Sequence, residues 1–569
     1  MSKISFIVAK DETNFPELAP DNIVYLDSDY EIWYYDSQRL TDLSVEKYTY
    51  SAIPKCLGLL SEQALEVSGI IRLQQQPTLS LKGQGVLVAV IDTGIQIQDR
   101  AFRREDGGSR IRFLWDQTRP GIPPEGYING SEYTQKELDS ILLQNDEAYQ
   151  SAVPGSENGK NIEMSKEMSR DLPGKDEEGH GSFLASVVAG TPDEIADFTG
   201  ALPLSELIVV KLRPAPEGLR NFYYISQEVP AYSEADIMEA VNYVVQKARE
   251  LEQPLVVFLG LGCNNGQHNG DAPICRFLDR VAATRKHAVV VAAGNEGNKQ
   301  IHFRGRSTSI LEPVIIEINV EKDMEGFYGE FWGNSLERYA VAVATPSGER
   351  LPKSRPVSGD SRIYYFNYED TTVTVDYRYP GREKRAQLIF LRFSRVKAGI
   401  WRLYVFSDNL TKSDFNIWLP LSSHQNSSVR FLAPDPDCTI TMPADANVVT
   451  SVGGYRVEDR AVMLESGRGF LPNGMVKPDF VAPAVNIEGK GLRGQYVTFD
   501  GTSAAAAIAA GACGQFLEWA VIKRGINEIN SVDIKNQLIR GCERSNNIEY
   551  PNPLEGYGQL NIYTSFRLL

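Results

Sequence analysis

Three residues of this chain stand where nucleophilic catalysis would need them. Asp92 closes the apolar run Val86-Leu87-Val88-Ala89-Val90-Ile91 and is followed by Thr93-Gly94, so a carboxylate falls at the end of a buried strand. His180 lies between Gly179 and Gly181, just ahead of a small-residue segment that suits a helix. Ser503 follows Asp500-Gly501-Thr502 and opens the Ala-rich run Ala504 to Ala507. A serine hydroxyl is a weak nucleophile at neutral pH unless a base takes its proton, and the imidazole that does so needs a carboxylate to fix its tautomer. Asp92, His180 and Ser503 are the parts of such a triad. Taken singly, an Asp after a strand is a turn or cap residue, a His between glycines is a loop residue, and a Ser before alanines is an N-cap. All three blocks in order, each at the end of an element, favour the catalytic reading.

The elements that must position them follow a helix-strand rhythm. Strands are expected at Val86–Ile91, Leu207–Leu212, Leu255–Leu259 and Ala288–Ala292, each a short β-branched run without alternation, as a parallel strand covered on both faces requires. Helices are expected near Phe183–Ala189, Glu234–Leu251 and Ile274–Thr284. This predicts an α/β domain with a mainly parallel sheet and helices on both faces, its site at the carboxyl ends of the strands. The rhythm stops near residue 305. Runs such as Val314–Ile318, Tyr339–Val343, Thr372–Val375 and Trp401–Val405, with turn residues between them, predict an all-β insertion over 306–435, a sandwich or jelly roll. The α/β pattern resumes over 436–569, so 81–305 and 436–569 form two parts of one catalytic domain. Residues 1–80 read as a separate N-terminal piece with short strands at Ile23–Leu26 and Ile32–Tyr35 around the turn Asp27-Ser28-Asp29, and a helix over 61–71. Residues 104–175, rich in Gly, Pro and charge, read as a surface loop with some local structure.

Together the three blocks resemble those of the subtilisin-like serine proteases, the subtilases, over about 81–305 and 436–569. The resemblance extends to Val289-Val290-Val291-Ala292-Ala293-Gly294-Asn295-Glu296-Gly297-Asn298. It implies that the Asn295 side chain, with Ser503 at its helix start, would stabilise the oxyanion of the tetrahedral intermediate. It implies that Phe258-Leu259-Gly260-Leu261-Gly262 would pair with a peptide backbone, with Gly260, Leu261 and Gly262 on one side of the first specificity pocket and Ala292, Ala293 and Gly294 on the other. The expected activity is peptide-bond hydrolysis through an acyl-enzyme, with the N-terminal piece either a self-bound prosegment, retained or autocleaved, whose end lies near Gly260 to Gly262, or an uncleaved structural extension. A Gly-x-Asn-x-Gly-x-His stretch, Gly262 to His268, is similar to the Csp-type subtilases of spore-forming bacteria, whose members include spore-germination proteases. That group carries a jelly-roll insertion, and some of its members have lost triad residues; this chain has not. A bacterial protein such as a spore-germination zymogen is then the expected substrate. Where many subtilases continue Ser-Met-Ala-x-Pro-His, this chain has Ser503-Ala504-Ala505-Ala506-Ala507-Ile508; the missing Pro and His do no chemistry.

Composition narrows the partners. A formal net charge of -16 repels a polyanion, so no nucleic acid is expected, only a protein or peptide substrate. There is no run of 18 apolar residues, which argues against a membrane helix. The apolar stretch near Met1 is too short for a signal peptide, so a cytoplasmic or spore-associated protein is expected. Cys56, Cys263, Cys275, Cys438, Cys513 and Cys542 are scattered and read as free thiols of a reducing compartment, Cys263 and Cys275 being the pair that could bridge. No histidine pair has metal-ligand spacing and there is no Asp-x-Asp-x-Asp-Gly loop, so no metal and no cofactor are assigned. His268 reads as a surface or loop residue engaged in hydrogen bonding. Two other readings compete. One is a catalytically silent scaffold or signalling pseudoprotease of the same fold. The other makes the β insertion a carbohydrate- or partner-binding module, though its aromatics (Trp332, Tyr364, Tyr365, Tyr377, Tyr379, Trp401) read as core and cross-strand pairs.

Overall fold

The computed structural model describes residues 3–9, 19–36, 43–44, 47–59, 65, 67–151, 172–334, 336–353, 357–379, 386–409 and 414–569. Its centre is an eight-stranded sheet, in the order Phe480–Pro483, Thr450–Tyr455, His287–Ala292, Leu255–Leu259, Leu87–Asp92, Glu206–Lys211, Ile111–Asp116, Ser131–Thr134. Every neighbouring pair is parallel except the last, where Ser131–Thr134 runs antiparallel. Each strand feeds two cores by alternation. Val88 and Val90 face the helices His180–Ala189 and Thr502–Leu517, while Leu87, Ala89 and Ile91 face Glu234–Glu250 and Pro273–Ala283. That explains the continuous apolar runs. The Thr502–Leu517 helix is buried along its whole length, and its alanines let it lie close to the sheet. With the turn that continues it to Lys523 it is long and apolar enough to cross a membrane, but it lies inside the protein core.

The insertion is a sandwich of two antiparallel sheets. One has six strands: His302–Arg306, Asp414–Trp418, Met324–Asn334, Ala386–Val396, Thr371–Arg378 and Ser361–Phe366. The other has four: Tyr339–Ala344, Gly399–Ser407, Val314–Val320 and Val429–Phe431. Its helical content among the described residues is the single turn Ser422–Gln425. Trp332, Tyr377 and Trp401 are buried in the sandwich core, where Trp401 meets Phe393 edge-on at 5.7 Å. Tyr365 is exposed.

Ile111–Asp116 and Ser131–Thr134 correct the reading of 104–175 as a surface loop, since both belong to the central sheet. Trp115 is fully buried between Tyr127 and Tyr243, and its indole N–H donates to Asn129 O. Six residues of strand were hidden by the polar chain around them. The helix Gln135–Ser151 follows, and 152–171 lie outside the described residues.

The N-terminal piece is a three-stranded antiparallel sheet, with Tyr30–Asp36 between Lys3–Ala9 and Asn22–Tyr25. The first of these strands carried no clear sequence signal. The sheet packs on the Glu234–Glu250 helix, where the Tyr34 hydroxyl donates to Glu239 at 2.6 Å and Arg213 pairs with Asp236 at 2.8 Å. The chain then runs to a short strand, Cys56–Leu59, which pairs antiparallel with Leu261–Gly262 on one side and Tyr232–Ser233 on the other. Of the helix expected over 61–71, residues 60–64 and 66 lie outside the described residues; a helix is present at Ile70–Gln75. Its Ile70 and Leu73 pack in the core with the Thr502–Leu517 helix, so the chain joins the catalytic core before residue 80.

The burial of Glu239 beneath the docked N-terminal sheet gives that sheet a pH dependence, against which the Tyr34 hydrogen bond works. Burial, aided by the neighbouring Asp236, pushes the Glu239 carboxyl up from 4.5 to about 8. A carboxyl whose folded value is raised binds its proton more tightly when docked. The stabilisation is therefore complete below 4.5 and is lost as pH rises through about 8. Hydrogen-exchange protection of Tyr30–Asp36, corrected for intrinsic rates, is expected to fall across that window. Glu239→Gln is expected to flatten the dependence.

Candidate active site

Asp92 is the last residue of its strand, and its Oδ1 lies 2.8 Å from His180 Nδ1. His180 is the first residue of its helix, and its Nε2 lies 3.4 Å from Ser503 Oγ. Ser503 is the second residue of its own helix, so its N–H is among the first-turn amides that have no partner within the helix. The structure thus brings the three sequence-predicted residues to one point at the carboxyl end of the sheet. The 3.4 Å spacing is long for a hydrogen bond, as in substrate-free sites that tighten when substrate binds.

Three further residues hold this point in place. Asp92 Oδ1 also accepts the Thr93 N–H at 2.7 Å. The Thr93 hydroxyl donates to Asp176 at 2.8 Å and accepts from Gly181 N. Asp176 in turn accepts from the backbone N–H of Glu178, Gly179 and Ser182, so a buried carboxylate collars the start of the His180 helix. At the other helix, Asn295 Oδ1 accepts from both the N–H and the hydroxyl of Thr502, at 3.1 and 3.2 Å. With its oxygen fixed there, the Asn295 amide turns its NH2 the other way. The Thr502 hydroxyl also receives Gly294 N at 3.0 Å. The sequence reading missed these roles of Thr93, Asp176 and Thr502. A carboxylate four residues before His180 was a cap-like signal for Asp176.

The residues expected to wall the groove lie beside this point. Gly260 backs directly onto the site, and a Cβ there would stand 2.9 Å from both Ser503 Cβ and Leu184 Cδ1. Gly262 and Gly294 face each other across Thr441. A Cβ on either would come within 2.6 Å of its Oγ1, so Thr441 occupies the gap between the walls, a role not legible in the sequence. Ala292 and Ala293 are buried, with Ala293 O accepting from Thr441 N at 2.9 Å. The backbone edge of Leu261–Gly262 is taken by the strand Cys56–Leu59, and Ser503 is fully buried. His268 is the hydrogen-bonding loop residue that was expected, in place of the surface alternative. It is buried rather than at the surface, stacked on Trp418 at 4.1 Å, with its ring nitrogens 2.7 Å from Ile440 O and 3.1 Å from Asn264 O. Cys263 and Cys275 are separate buried thiols and do not bridge.

A parallel sheet that delivers a carboxylate, an imidazole and a hydroxyl to one point, beside a short strand whose edge pairs with an extended segment, is the construction of a serine peptidase. The chain belongs to the subtilase family, whose profile matches residues 83–327 and 423–558. Among solved structures it is similar to the CspB protease of Clostridium perfringens, with a TM-score of 0.75 and 26% identity over 88% of this chain and 96% of that one. Among curated proteins it matches the membrane-bound transcription factor site-1 proteases of Mus musculus and Homo sapiens, at 32% and 31% identity over 137 residues. Those matches take in 23% of this chain and only 12% of each relative.

Gly260→Ala tests the geometry. Its methyl would have to displace Ser503 or Leu184, and the Ser503 side rests on a helix that cannot shift cheaply. Peptide hydrolysis is expected to fall by about 10²-fold or more, the scale of a misplaced reacting group, while the thermal transition is kept. Unchanged turnover would show that this wall does not abut the reacting hydroxyl.

Proposed function

We propose that the chain is a serine endopeptidase that cuts peptide bonds through an acyl-enzyme at Ser503. The observation that carries this is one imidazole within reach of both partners, Asp92 at 2.8 Å and Ser503 at 3.4 Å. His180 Nε2 takes the Ser503 proton as Oγ attacks the scissile carbonyl, and Asp92 holds Nδ1–H and stabilises the imidazolium. The carbonyl oxygen becomes an oxyanion that the Asn295 NH2 and the Ser503 N–H receive. His180 then protonates the leaving amine, and a water repeats the sequence to release the acid. The substrate adds as a strand to Leu261–Gly262, its P1 side chain directed between Gly260–Gly262 and Ala292–Gly294, with Thr441 limiting the depth. The complete set Asp92, His180, Asn295 and Ser503 argues against the silent-scaffold reading.

The strand Cys56–Leu59 occupies the substrate's edge in the sense a peptide would. Its register, Gly58 opposite Gly262 and Leu59 opposite Leu261, runs towards Gly260 and hence towards Ser503. We infer a prosegment that is cut by its own protease in the few residues after Leu59; its docked sheet stays bound, while the Cys56–Leu59 strand leaves the edge for substrate to add. The likeness to Csp-type subtilases supports a bacterial protein substrate, such as a spore-germination zymogen. The five described cysteines, all buried and unbridged, fit a cytoplasmic or spore-associated setting.

Ser503→Ala is expected to cost about 10⁶ in kcat, the scale of losing the nucleophile of such a triad. Intact-mass measurement is expected to show wild type cleaved just beyond Leu59 and the Ser503→Ala protein at full length. A mutant retaining more than a few per cent of wild-type turnover would end the triad assignment. A wild type of the same mass as the mutant would refute self-cleavage.

A further inference from the structure

We propose that Glu296 is a positioning residue for Asn295, through which the β insertion holds the oxyanion hole in register. This rests on the reading of Asn295 as an oxyanion donor. Glu296 follows Asn295 directly, and its side chain is turned away from solvent at 4% exposure. Its carboxylate is gripped from the insertion. The Ser422 backbone N–H donates to Oε2 at 3.0 Å and the Ser422 hydroxyl to Oε1 at 2.9 Å. A third donor comes from the other wall of the groove. Asn264, two residues past Gly262, donates its Nδ2 to Glu296 Oε2 at 3.4 Å and to Leu419 O at 3.3 Å. One carboxylate therefore joins the oxyanion block, the end of the peptide-binding strand and the insertion.

The next residues reinforce that tie. Asn265 Nδ2 and Gly266 N donate to the buried Glu330 of the insertion, at 2.7 and 2.9 Å, and Tyr328 OH donates to Asn265 Oδ1 at 3.0 Å. Glu330, Tyr328, Leu419 and Ser422 all lie in residues 328–422, which the subtilase profile leaves unmatched. The contacts behind the groove are thus supplied by the added domain. They also give the Asn264-Asn265-Gly266 part of the sequence motif a role, as the latch on the insertion.

The chemistry favours a positioning role over mere filling. A buried carboxylate is costly unless its acceptor sites are used, and here three hydrogen bonds converge on it from two segments. Asn295 itself is held on its oxygen by Thr502. Its backbone is tied before and after, by Gly467 N–H to Gly294 O at 2.7 Å and by Gly297 N–H to Glu465 O at 2.8 Å, and between these ties the Glu296 carboxylate is the side-chain anchor next to Asn295. Loosening Glu296 should therefore let the NH2 donor drift, which matters most when the oxyanion forms and little when substrate binds.

The test is a cycle of Glu296→Gln and Asn295→Ala, with kcat and KM measured on a Leu-Gly-Leu-Leu p-nitroanilide, the sequence of Leu57 to Leu60. Glu296→Gln keeps the shape and can keep the bonds from Ser422 N–H and Asn264, with its NH2 donating to the Ser422 hydroxyl, but it replaces charge-assisted hydrogen bonds by weaker neutral ones. It is expected to lower kcat on the order of tenfold with KM unchanged, and to weaken binding of the matching peptide aldehyde by the same factor. In the Asn295→Ala background it is expected to cost less than about twofold more, because the donor it positions is gone. The same loss in both backgrounds, or a rise in KM alone, would overturn the proposal. Should Glu296→Gln fail to fold, Ser422→Ala, which deletes one hydroxyl and leaves the backbone donor, carries the same comparison with a smaller loss. A wild-type kcat for Asn295→Ala would overturn the oxyanion assignment itself, a separately visible outcome, and the positioning role with it.

Discussion

One imidazole ring must meet a carboxylate 88 positions away and a hydroxyl 323 positions away, each within hydrogen-bond reach. Most of the structure follows from that requirement. A parallel sheet ends its strands on one edge, so Asp92 and the Asn295 turn emerge side by side, two strands apart. Helices that start at that edge bring their free amide ends to the same place, and both His180 and Ser503 sit at such starts. The tolerances are narrow. Gly260 has no room for a methyl, and a Cβ on Gly181 would be within 3.1 Å of Asp92 Cβ. Glycines lie where they do because neighbouring main chain and the triad must nearly touch.

The inserted sandwich is not an appendage. It shares a hydrophobic cluster with the N-terminal sheet and the Glu217–Phe222 helix of the protease, and Phe222 stacks on Phe390 at 5.7 Å. Its carboxylate Glu330 receives donors from three places, Tyr50 of the N-terminal piece, the Asn265–Gly266 loop and its own Trp332. On the protease side, Glu234 at the start of its helix accepts from Lys55 N at 3.0 Å and from Ile274 N at 3.2 Å. Buried carboxylates with several donors each recur wherever two parts of the chain meet. Removing one donor from such a group leaves a buried acceptor unpaired, so each of these junctions resists being pulled apart.

The candidate triad was legible in the sequence because each of its residues falls at the end of an element that the apolar or small-residue run beside it predicts. Singly each reads as a turn, loop or cap residue; Asp92, His180 and Ser503 stood out because all three blocks occur in order, each at the end of an element, and together resemble those of the subtilases. Strand ends moved by about one residue, as at Leu87–Asp92 against the expected Val86–Ile91. What could not be read were choices made by tertiary contact. Nothing local tells Thr502 to hold Asn295, Asp176 to collar a helix through Thr93, or Thr441 to stand between two glycines. Trp115 lies in a strand too short to lift a polar region above its composition. His268 sits among polar residues, which fits its hydrogen-bonded loop, but nothing local tells that the sandwich covers it with Trp418. The strand Lys3–Ala9 carries Lys3 and Ser5 among its apolar residues, and only the sheet it joins makes its alternation meaningful.

The central claim is that Ser503, and no other residue, is the nucleophile made by this geometry. A small fluorophosphonate reacts with a serine only where a base and an oxyanion site activate it. Mass mapping of the adduct on the folded protein decides the matter. The account predicts one phosphonylated residue, Ser503, with labelling abolished by His180→Ala. An adduct on another residue, or labelling that survives His180→Ala, would contradict it.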